Sequence, residues 1–183
     1  MFRSIDAFLR YFEGVNKRAM RDVAALPPEA DGWRPEIGEG EKAWSINQLV
    51  GHMCGSRLYF ASAYSGTGWI SPEPPDVSSR EKWLPALEAS FNEFKAKIAG
   101  TPDEWLDRRV AMIDTAGGTL AGWRVLMMMM EHDIHHRSQI DTYAGANGWD
   151  VPDIYNRSAE TIGGLQAEQR AKHGLEGEGH PLG

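Results

Sequence analysis

EHDIHHRSQ, spanning Glu131–Gln139, is the segment on which both the fold and the function of this chain depend. His132 and His136 are four residues apart, so both imidazoles leave the same side of an α-helix. This spacing lets one helix offer two nitrogen ligands to a single metal ion. A third histidine, His52, lies on an earlier predicted helix. The functional prediction therefore depends on whether these three rings meet.

The composition limits the classes of protein to which the chain can belong. Its 183 residues, 42% of them hydrophobic, suit one globular domain, which we expect over residues 1–173, followed by a flexible tail over residues 174–183. A net charge of −7 argues against nucleic acid or an anionic membrane surface as a partner. Cys54 is the only cysteine, which excludes an internal disulfide and fits a cytoplasmic location.

Neither a signal peptide nor a membrane span is predicted. The N-terminal segment shows an amphipathic pattern instead of the apolar core of a signal peptide. The longest apolar run, residues 125–130, is far too short to cross a bilayer. We therefore expect a cytoplasmic protein.

Hydrophobic periodicity and capping signals place the first two helices. Apolar residues recur at helical spacing over residues 5–23, and Pro27 and Pro28 end this helix. A long connector rich in Gly and Pro leads to SINQ, residues 45–48, a capping box that opens a second helix running to about Tyr64. On the wheel of this helix His52 faces the core, whereas Cys54 lies almost opposite.

Three further helices complete the predicted fold. SSRE, residues 78–81, offers a second capping box and opens a third helix, and residues 110–113 indicate a short extended piece. Thr119 is the expected N-cap of the fourth and longest helix, which ends near Gly145, and a fifth helix is expected from Pro152 to about Lys172. The chain is thus predicted to be all-α, a four-helix bundle with a long connector between helices 1 and 2 and an additional C-terminal helix.

The fourth helix is apolar on two sides. The side that carries His132 and His136 also carries apolar residues, and Leu126, Met130 and Ile134 lie on the far side. A helix that is apolar on both sides is covered on both sides. The C-terminal segment or a second subunit would cover the far side, and we expect a homodimer.

Two interpretations of the histidines remain open at this stage. Three converging imidazoles with a free fourth position describe a catalytic-type metal site, which zinc or nickel would suit and which iron, manganese or copper could also occupy. Alternatively, these are core histidines that are hydrogen-bonded to their neighbours. A zincin protease is not favoured, because Asp133 stands where its HExxH motif has glutamate.

Other polar residues near the histidines are weaker candidates. His135 lies at the rim of the same helix face, as a proton shuttle, a supporting group or a surface residue. Gln139 could hydrogen-bond a ligand or orient His136. Tyr59 and Tyr143 are expected to face the same cavity. Glu131 and Asp133 are expected to be solvated or paired with neighbours such as Arg137, and the methionines at 127–130 to be packing residues.

Two motifs together resemble the DinB/YfiT-like superfamily of metal-binding four-helix proteins. WSINQLVGH, residues 44–52, looks like the family's segment around its first metal histidine. HDIHHRSQI, residues 132–140, is similar to its H-x-x-H-H-R-G-Q signature, with Ser138 where the family commonly has Gly. The resemblance covers residues 1–147. It implies His52, His132 and His136 as metal ligands and His135 as a neighbour that is not a ligand.

The resemblance also implies classes of activity. Members of known activity include transferases and isomerases that use low-molecular-weight thiols such as bacillithiol or mycothiol, and a small-molecule substrate is therefore the expected partner. One hypothesis is a metal-dependent thiol S-transferase or hydrolase with His135 and Gln139 as candidate catalytic residues. Another is a non-catalytic, stress-associated metal-binding homodimer, and a third is a plain bundle with buried histidines.

Overall fold

The computed structural model describes residues 2–175, which are mostly helical. The five α-helices of this part of the chain are α1 (Ile5–Ala25), α2 (Ile46–Ser65), α3 (Trp83–Ala99), α4 (Gly122–Ala146) and α5 (Ala159–Lys172). Two short strands, β1 (Arg109–Ala111) and β2 (Thr119–Ala121), pair antiparallel. The all-α prediction is confirmed, and the extended piece predicted near Val110 is β1.

The chain divides into two compact units, Met1–Val151 and Pro152–Gly183. The first contains α1–α4 and both strands. In the second, α5 begins at Ala159, where Ser158 Oγ accepts a hydrogen bond from Thr161 N at 3.2 Å, so the predicted start at Pro152 is wrong. The single domain over 1–173 remains a prediction. Most of the predicted flexible tail, residues 176–183, lies outside the described residues.

The predicted capping box fixes the start of α2. Gln48 N donates to Ser45 Oγ at 3.2 Å, and Ser45 N donates to Gln48 Oε1 at 2.9 Å. These reciprocal bonds satisfy backbone donors that a helix N-terminus otherwise leaves free. Gly66 ends the helix in the left-handed conformation, with φ of 89°. His52 therefore lies two turns inside a helix that is well fixed at both ends.

The second predicted capping box does not form. A 3-10 turn, Arg80–Lys82, precedes α3, Ser78 Oγ donates to Asp76 Oδ1 at 2.8 Å, and Ser79 makes no side-chain cap bond. Arg80 instead reaches across to α1, where its Nε donates to Leu26 O at 2.9 Å and its Nη2 to Ala24 O at 3.2 Å. The side chain thus satisfies carbonyl groups at the end of α1, which is a tertiary contact that local sequence does not reveal.

The start of α4 also differs from the prediction. Thr119 lies in β2, opposite Ala111, and the residue before the helix is Ala121. Gly122 opens α4 and donates its N–H to Arg108 O at 2.8 Å. A Cβ atom at position 122 would overlap the carbonyl oxygen of Trp105. The strand pairing and this close backbone approach set the start of α4, so Thr119 does not cap it.

Both apolar sides of α4 are covered within this chain. Leu126 is fully buried and Met130 is nearly so, in the same cluster as residues of α1 and α3. Ile134 is the exception, because 39% of it is exposed. The pattern on α4 therefore does not by itself require a second subunit, and the homodimer stays a prediction.

None of the helices within residues 2–175 is long and apolar enough to cross a membrane.

Two acidic residues of α4 have opposite surroundings. Asp133 is buried and accepts a bidentate pair from Arg57, with Nε–Oδ1 at 2.8 Å and Nη2–Oδ2 at 3.2 Å. Glu131 pairs at the surface with Arg124 at 2.8 Å. Arg137, the expected partner, instead lies 2.6 Å from the buried Asp22. Asp133 is therefore part of the core and not a solvated residue.

We predict that Gly122→Ala destabilises the protein by about 2 kcal/mol or more, because the added methyl group meets backbone that cannot move aside cheaply. Gly145→Ala is the matched control in the same helix, where a Cβ would have open space, and it should be neutral or stabilise by about 0.5–1 kcal/mol. Urea denaturation measures both. Equal effects of the two substitutions would contradict this explanation of the α4 start.

A second comparison concerns the acidic residues. Asp133→Ala leaves the Arg57 guanidinium buried without its counter-ion and should cost about 3–5 kcal/mol of unfolding free energy. Glu131→Ala removes only an exposed pair and should change stability by about 0.5 kcal/mol or less. Denaturant unfolding of both variants at pH 7 checks this. A loss of similar size in both would show that the Arg57–Asp133 pair does not stabilise the core.

Candidate metal centre

The three predicted histidines meet where α2 packs against α4. His132 Nε2 lies 2.9 Å from His52 Nε2 and 3.1 Å from His136 Nε2. One nitrogen from each of the three rings lies within 4.8 Å of the others. His136 is fully buried, whereas His52 and His132 are partly buried. The structure thus brings together the three rings that the sequence placed on two separate helices.

Gln139 fixes the protonation of His136. The side-chain Nε2 of Gln139 donates to Glu41 O at 2.8 Å, and a backbone carbonyl can only accept. The amide orientation is therefore set, and Gln139 Oε1 faces His136 Nδ1 at 3.2 Å. His136 must carry its hydrogen on Nδ1 to donate to this oxygen. Its Nε2 is then left with a free lone pair that points into the cluster.

Hydrogen bonding among the rings cannot satisfy the cluster. His132 Nε2 touches two other ring nitrogens, yet it carries at most one hydrogen. If it donates to His136, it makes no linear bond to His52. If it carries no hydrogen, its lone pair faces the lone pair of His136 Nε2. No arrangement of neutral imidazoles serves both contacts, whereas one cation between the three nitrogens would. This geometry favours a metal site over hydrogen-bonded core histidines.

The surroundings keep the rings neutral, as metal ligands must be. Burial, followed by the neighbouring His136 and His52, lowers the pKa of His132 to about 3. Burial also lowers the pKa of His52, with His136 as a further cause. The pKa of His136 is lowered by burial despite the hydrogen bond to Gln139, which acts in the opposite direction. The lone pairs are thus available to a cation at neutral pH.

The spacing of the nitrogens also fits a first-row divalent ion. Two imidazole nitrogens bound tetrahedrally to zinc at 2.0–2.1 Å lie about 3.3 Å apart. The observed separations of 2.9 and 3.1 Å are a few tenths of an ångström shorter. These two separations would need to widen by only a few tenths of an ångström to match a tetrahedral site.

His135 lies outside this cluster. Its side chain is 64% exposed, and its Nε2 lies 3.5 Å from a carboxylate oxygen of Glu41. Its ring still contacts that of His136, with centroids 4.9 Å apart. Glu41, His135 and His136 also form a group with metal-ligand spacing, but two of its three members are exposed. The structure therefore places His135 beside the three-histidine cluster at the surface.

The two tyrosines have different positions. Tyr59 lines the cavity described below, as expected. Tyr143 does not, since it is buried behind Gln139, where its hydroxyl accepts from Gln139 Nε2 at 2.9 Å and donates to Lys42 O at 3.1 Å. The expectation that Tyr143 faces the cavity is wrong.

Cys54 is buried away from the histidines, and burial raises the pKa of its thiol.

A cavity of about 870 Å³ opens beside the cluster. His52 and His132 contribute to its lining, together with residues of α2 and of the segment 71–78. Ser56 also lines it, with its Oγ 3.4 Å from His52 Nε2. Ser56 is not among the site residues that the sequence predicts. The segment 71–78 is also not predicted to belong to the site, because no local signal links it to the histidines.

Aromatic rings pack around the imidazoles. The Trp44 ring meets His52 edge-on, with centroids 4.8 Å apart, and Phe60 meets His132 with centroids 5.9 Å apart. Trp44 also lies 6.3 Å from His136 in a stacked arrangement. The sequence analysis names Trp44 only as part of the motif at residues 44–52 and gives it no role of its own. In the structure Trp44 and Phe60 contact all three imidazoles between them.

The fold and the site together define a class of protein, namely a helical bundle in which three histidines from two of the helices converge. The sequence model of the DinB family matches residues 1–170. The chain therefore belongs to the DinB family, as the resemblance in its two motifs indicated.

Relatives and solved structures agree with this assignment. The chain is 28% identical over 109 residues to the uncharacterized protein YjoA of Bacillus subtilis, covering 59% of this chain and 70% of YjoA. It is 23% identical over 177 residues to the uncharacterized protein YrdA of the same organism, covering 96% and 98%.

Two crystal structures of DinB-like proteins share the fold. YjoA superposes with a TM-score of 0.62 at 17% identity, covering 81% of this chain and 97% of YjoA. A DinB-like protein of Bacillus cereus gives a TM-score of 0.61 at 17% identity, covering 84% and 99%. At this level of identity the likeness shows the fold alone.

The low pKa of His132 predicts how acid affects stability. As pH falls below about 6.5, the ordinary pKa of imidazole, His132 of the unfolded chain becomes protonated. In the folded chain His132 stays neutral until pH falls to about 3. The metal-free protein should therefore lose stability over this range. His132→Gln should reduce the slope of unfolding free energy against pH by up to about one proton.

Urea unfolding of chelator-treated protein between pH 7 and pH 4 measures this slope. His135→Gln is the matched control, because it removes an imidazole from the same helix without emptying the cluster. If His132→Gln leaves the slope at its wild-type value, the environment assigned to His132 is wrong.

Proposed function

We propose that this chain is a divalent-metal-binding protein and that it works as a metal-dependent enzyme on a small molecule. His52, His132 and His136 would hold the ion. The proposed reaction class is thiol-dependent S-transfer, or a related transfer or hydrolysis. The observation that carries the proposal is the convergence of three neutral Nε2 atoms, two of them beside an open cavity.

The donor set narrows the choice of metal. Three imidazoles without a thiolate or carboxylate favour zinc or nickel, with iron, manganese and copper as further candidates. When bound, such an ion lowers the pKa of a thiol or a water molecule at its open position and so makes a nucleophile available near neutral pH. Three protein ligands leave that position free, which distinguishes this arrangement from closed structural sites.

The chain's own residues prepare the site for this chemistry. Gln139 keeps the hydrogen of His136 on Nδ1 and thereby aims Nε2 at the centre. Trp44 and Phe60 exclude water from the sides of the cluster. Ser56 presents a hydroxyl 3.4 Å from His52 Nε2 at the edge of the cavity, where it can donate a hydrogen bond to a bound substrate. His135 lies exposed at the rim, and the proposed reaction does not depend on it.

An open path to the histidines distinguishes a catalytic metal site from one that only stabilises the fold. The cavity of about 870 Å³ reaches His52 and His132, so a small molecule could approach the cluster from one side. A site that only stabilised the fold would need no such opening. We place this activity in the cytoplasm and in a homodimer, as the sequence analysis predicts.

We expect the protein, purified without an affinity tag, to bind about one equivalent of zinc or nickel per chain. His132→Ala should lose this metal, since it removes the ring that contacts both others, whereas His135→Ala should retain it. Isothermal titration calorimetry and elemental analysis measure binding, and circular dichroism verifies the fold. Stoichiometric metal in a folded His132→Ala protein would contradict the proposed ligand set.

Turnover is tested separately with a panel of low-molecular-weight thiols and a chromogenic electrophile. The metal-loaded wild type and His135→Ala should show thiol consumption that His132→Ala lacks. Stabilisation by metal alone, with no effect of any thiol and no turnover, would support a non-catalytic metal-binding protein instead.

Gln139 offers a test of ligand positioning. Gln139→Leu removes the acceptor for His136 Nδ1–H and should weaken zinc binding by about 10–100-fold. Tyr143→Phe is the matched control, because it breaks the neighbouring bonds to Gln139 and Lys42 but leaves the acceptor in place. Competition titrations with a zinc chelator measure the affinities. Equal losses in both variants would show that Gln139 acts only through packing.

A further inference from the structure

The face of α2 that borders the cavity carries small side chains next to the histidine. Gly51, His52, Gly55 and Ser56 all line the cavity. A Cβ atom at Gly55 would meet nothing within 4 Å, so the space beside this residue is open. At Gly51, by contrast, a Cβ would lie 3.0 Å from Val77 Cγ2, so the opposite wall closes tightly there. The chain thus leaves a defined space one turn from His52.

Aromatic and apolar groups form most of the walls. Trp44 and Phe60, which pack against His52 and His132, also line the cavity, and so does Tyr59. Any molecule that reaches the two histidines must therefore lie against aromatic rings. Such rings contribute large contact areas and favour flat, unsaturated ligands through stacking and edge-to-face contacts.

The opposite wall is formed by the segment 71–78, whose sequence is SPEPPDVS. Pro72, Pro74, Pro75 and Val77 line the cavity. Prolines fix the backbone φ angle, so this wall is stiff before any ligand binds. The charged residues of the segment are exposed and lie outside the lining, and Asp76 pairs with Lys82 at 2.6 Å. The segment therefore turns its apolar side inward and its charges outward.

No Asp, Glu, Lys or Arg occurs among the described residues that line the cavity. The polar members are amides, hydroxyls and imidazoles. Several of these are already engaged, since Asn47 bonds to Asp31 and to the Gly32 N–H, and Gln48 closes the capping box. Burial raises the pKa of Tyr59, which keeps its phenol uncharged at neutral pH. Apart from a metal ion held by His52 and His132, an anionic ligand would find no counter-charge on these walls.

We infer that this cavity selects an uncharged, flat, largely apolar molecule and excludes ligands whose carboxylate or sulfonate would have to lie against its walls. Transfer of an ion into such surroundings without a partner is costly. The net charge of −7 adds a general repulsion of anions. The inference rests on the proposed function in taking this molecule as the electrophilic substrate, with its reacting atom beside His52 and His132.

Two fluorescent probes with the same aromatic skeleton test the charge preference. N-phenyl-1-naphthylamine is neutral, and 1-anilinonaphthalene-8-sulfonate adds one sulfonate. We expect the neutral probe to bind with an increase in fluorescence and at least about tenfold more tightly than the sulfonate. Both are titrated into the metal-loaded and the chelator-treated protein. In the chelator-treated protein only the chain's own groups act, so equal or tighter binding of the sulfonate there would overturn the inference.

Gly55→Leu locates the binding site, because its side chain would extend into the open space beside His52. It should weaken binding of the neutral probe by at least about tenfold through loss of volume. Gly145→Leu, at an exposed position on α4 where a Cβ also has open space, is the matched control and should bind like wild type. If Gly55→Leu binds the probe as well as Gly145→Leu does, the cavity is not the site.

Zinc titrations on the same samples separate this inference from the proposed function. Gly55→Leu should retain about one equivalent of zinc, since it changes none of the three histidines. Zinc binding without preference for the neutral probe would overturn the charge selectivity and leave the metal site standing. Selective probe binding without zinc binding would overturn the metal site and leave the selectivity standing.

Discussion

The buried ion pair between Arg57 and Asp133 fixes how α2 and α4 are placed against each other. Both oxygens of the carboxylate are engaged, and Arg57 Nη1 also donates to Leu87 O and to Ser90 Oγ on α3. A planar guanidinium accepts few geometries when it bonds in this bidentate way. Asp133 directly follows His132, and Arg57 lies little more than one turn beyond His52. The convergence of the histidine rings depends on the placement that this pair imposes.

Charged and neutral buried side chains therefore lie within a few residues of each other on α2 and α4. One side of the α2–α4 contact buries a pair of full charges that satisfy each other. The other side buries imidazoles that remain neutral and have no arrangement of hydrogen bonds that serves all their contacts. A buried group that its neighbours leave unsatisfied calls for a ligand, and a cation is the ligand that three nitrogen lone pairs can share. The cavity beside them continues this neutral surface.

The sequence is sufficient for most of the helices and for the helix face on which each histidine lies, because these follow from local rules, whereas the meeting of the rings depends on how α2 packs against α4. The 3.6-residue period and the capping box at Ser45 place His52 on an inward face, and the spacing of His132 and His136 needs only one helix. Its failures have a common cause in contacts between distant segments. Thr119 pairs with Ala111 in the two-stranded sheet and therefore does not begin α4. Asp133 is buried because it pairs with Arg57, which lies 76 residues away in the sequence. The proline-rich segment 71–78 could not be predicted to line the cavity either, since its own sequence does not indicate what it packs against.

The most direct measurement is a crystal structure of protein purified without an affinity tag, with anomalous diffraction recorded above and below the absorption edges of zinc and nickel. The account predicts one anomalous peak about 2.0–2.1 Å from Nε2 of each of His52, His132 and His136, with a fourth position open toward the cavity. A well-ordered site with no peak after addition of zinc or nickel, or a peak held by Glu41 and His135 instead, would contradict it.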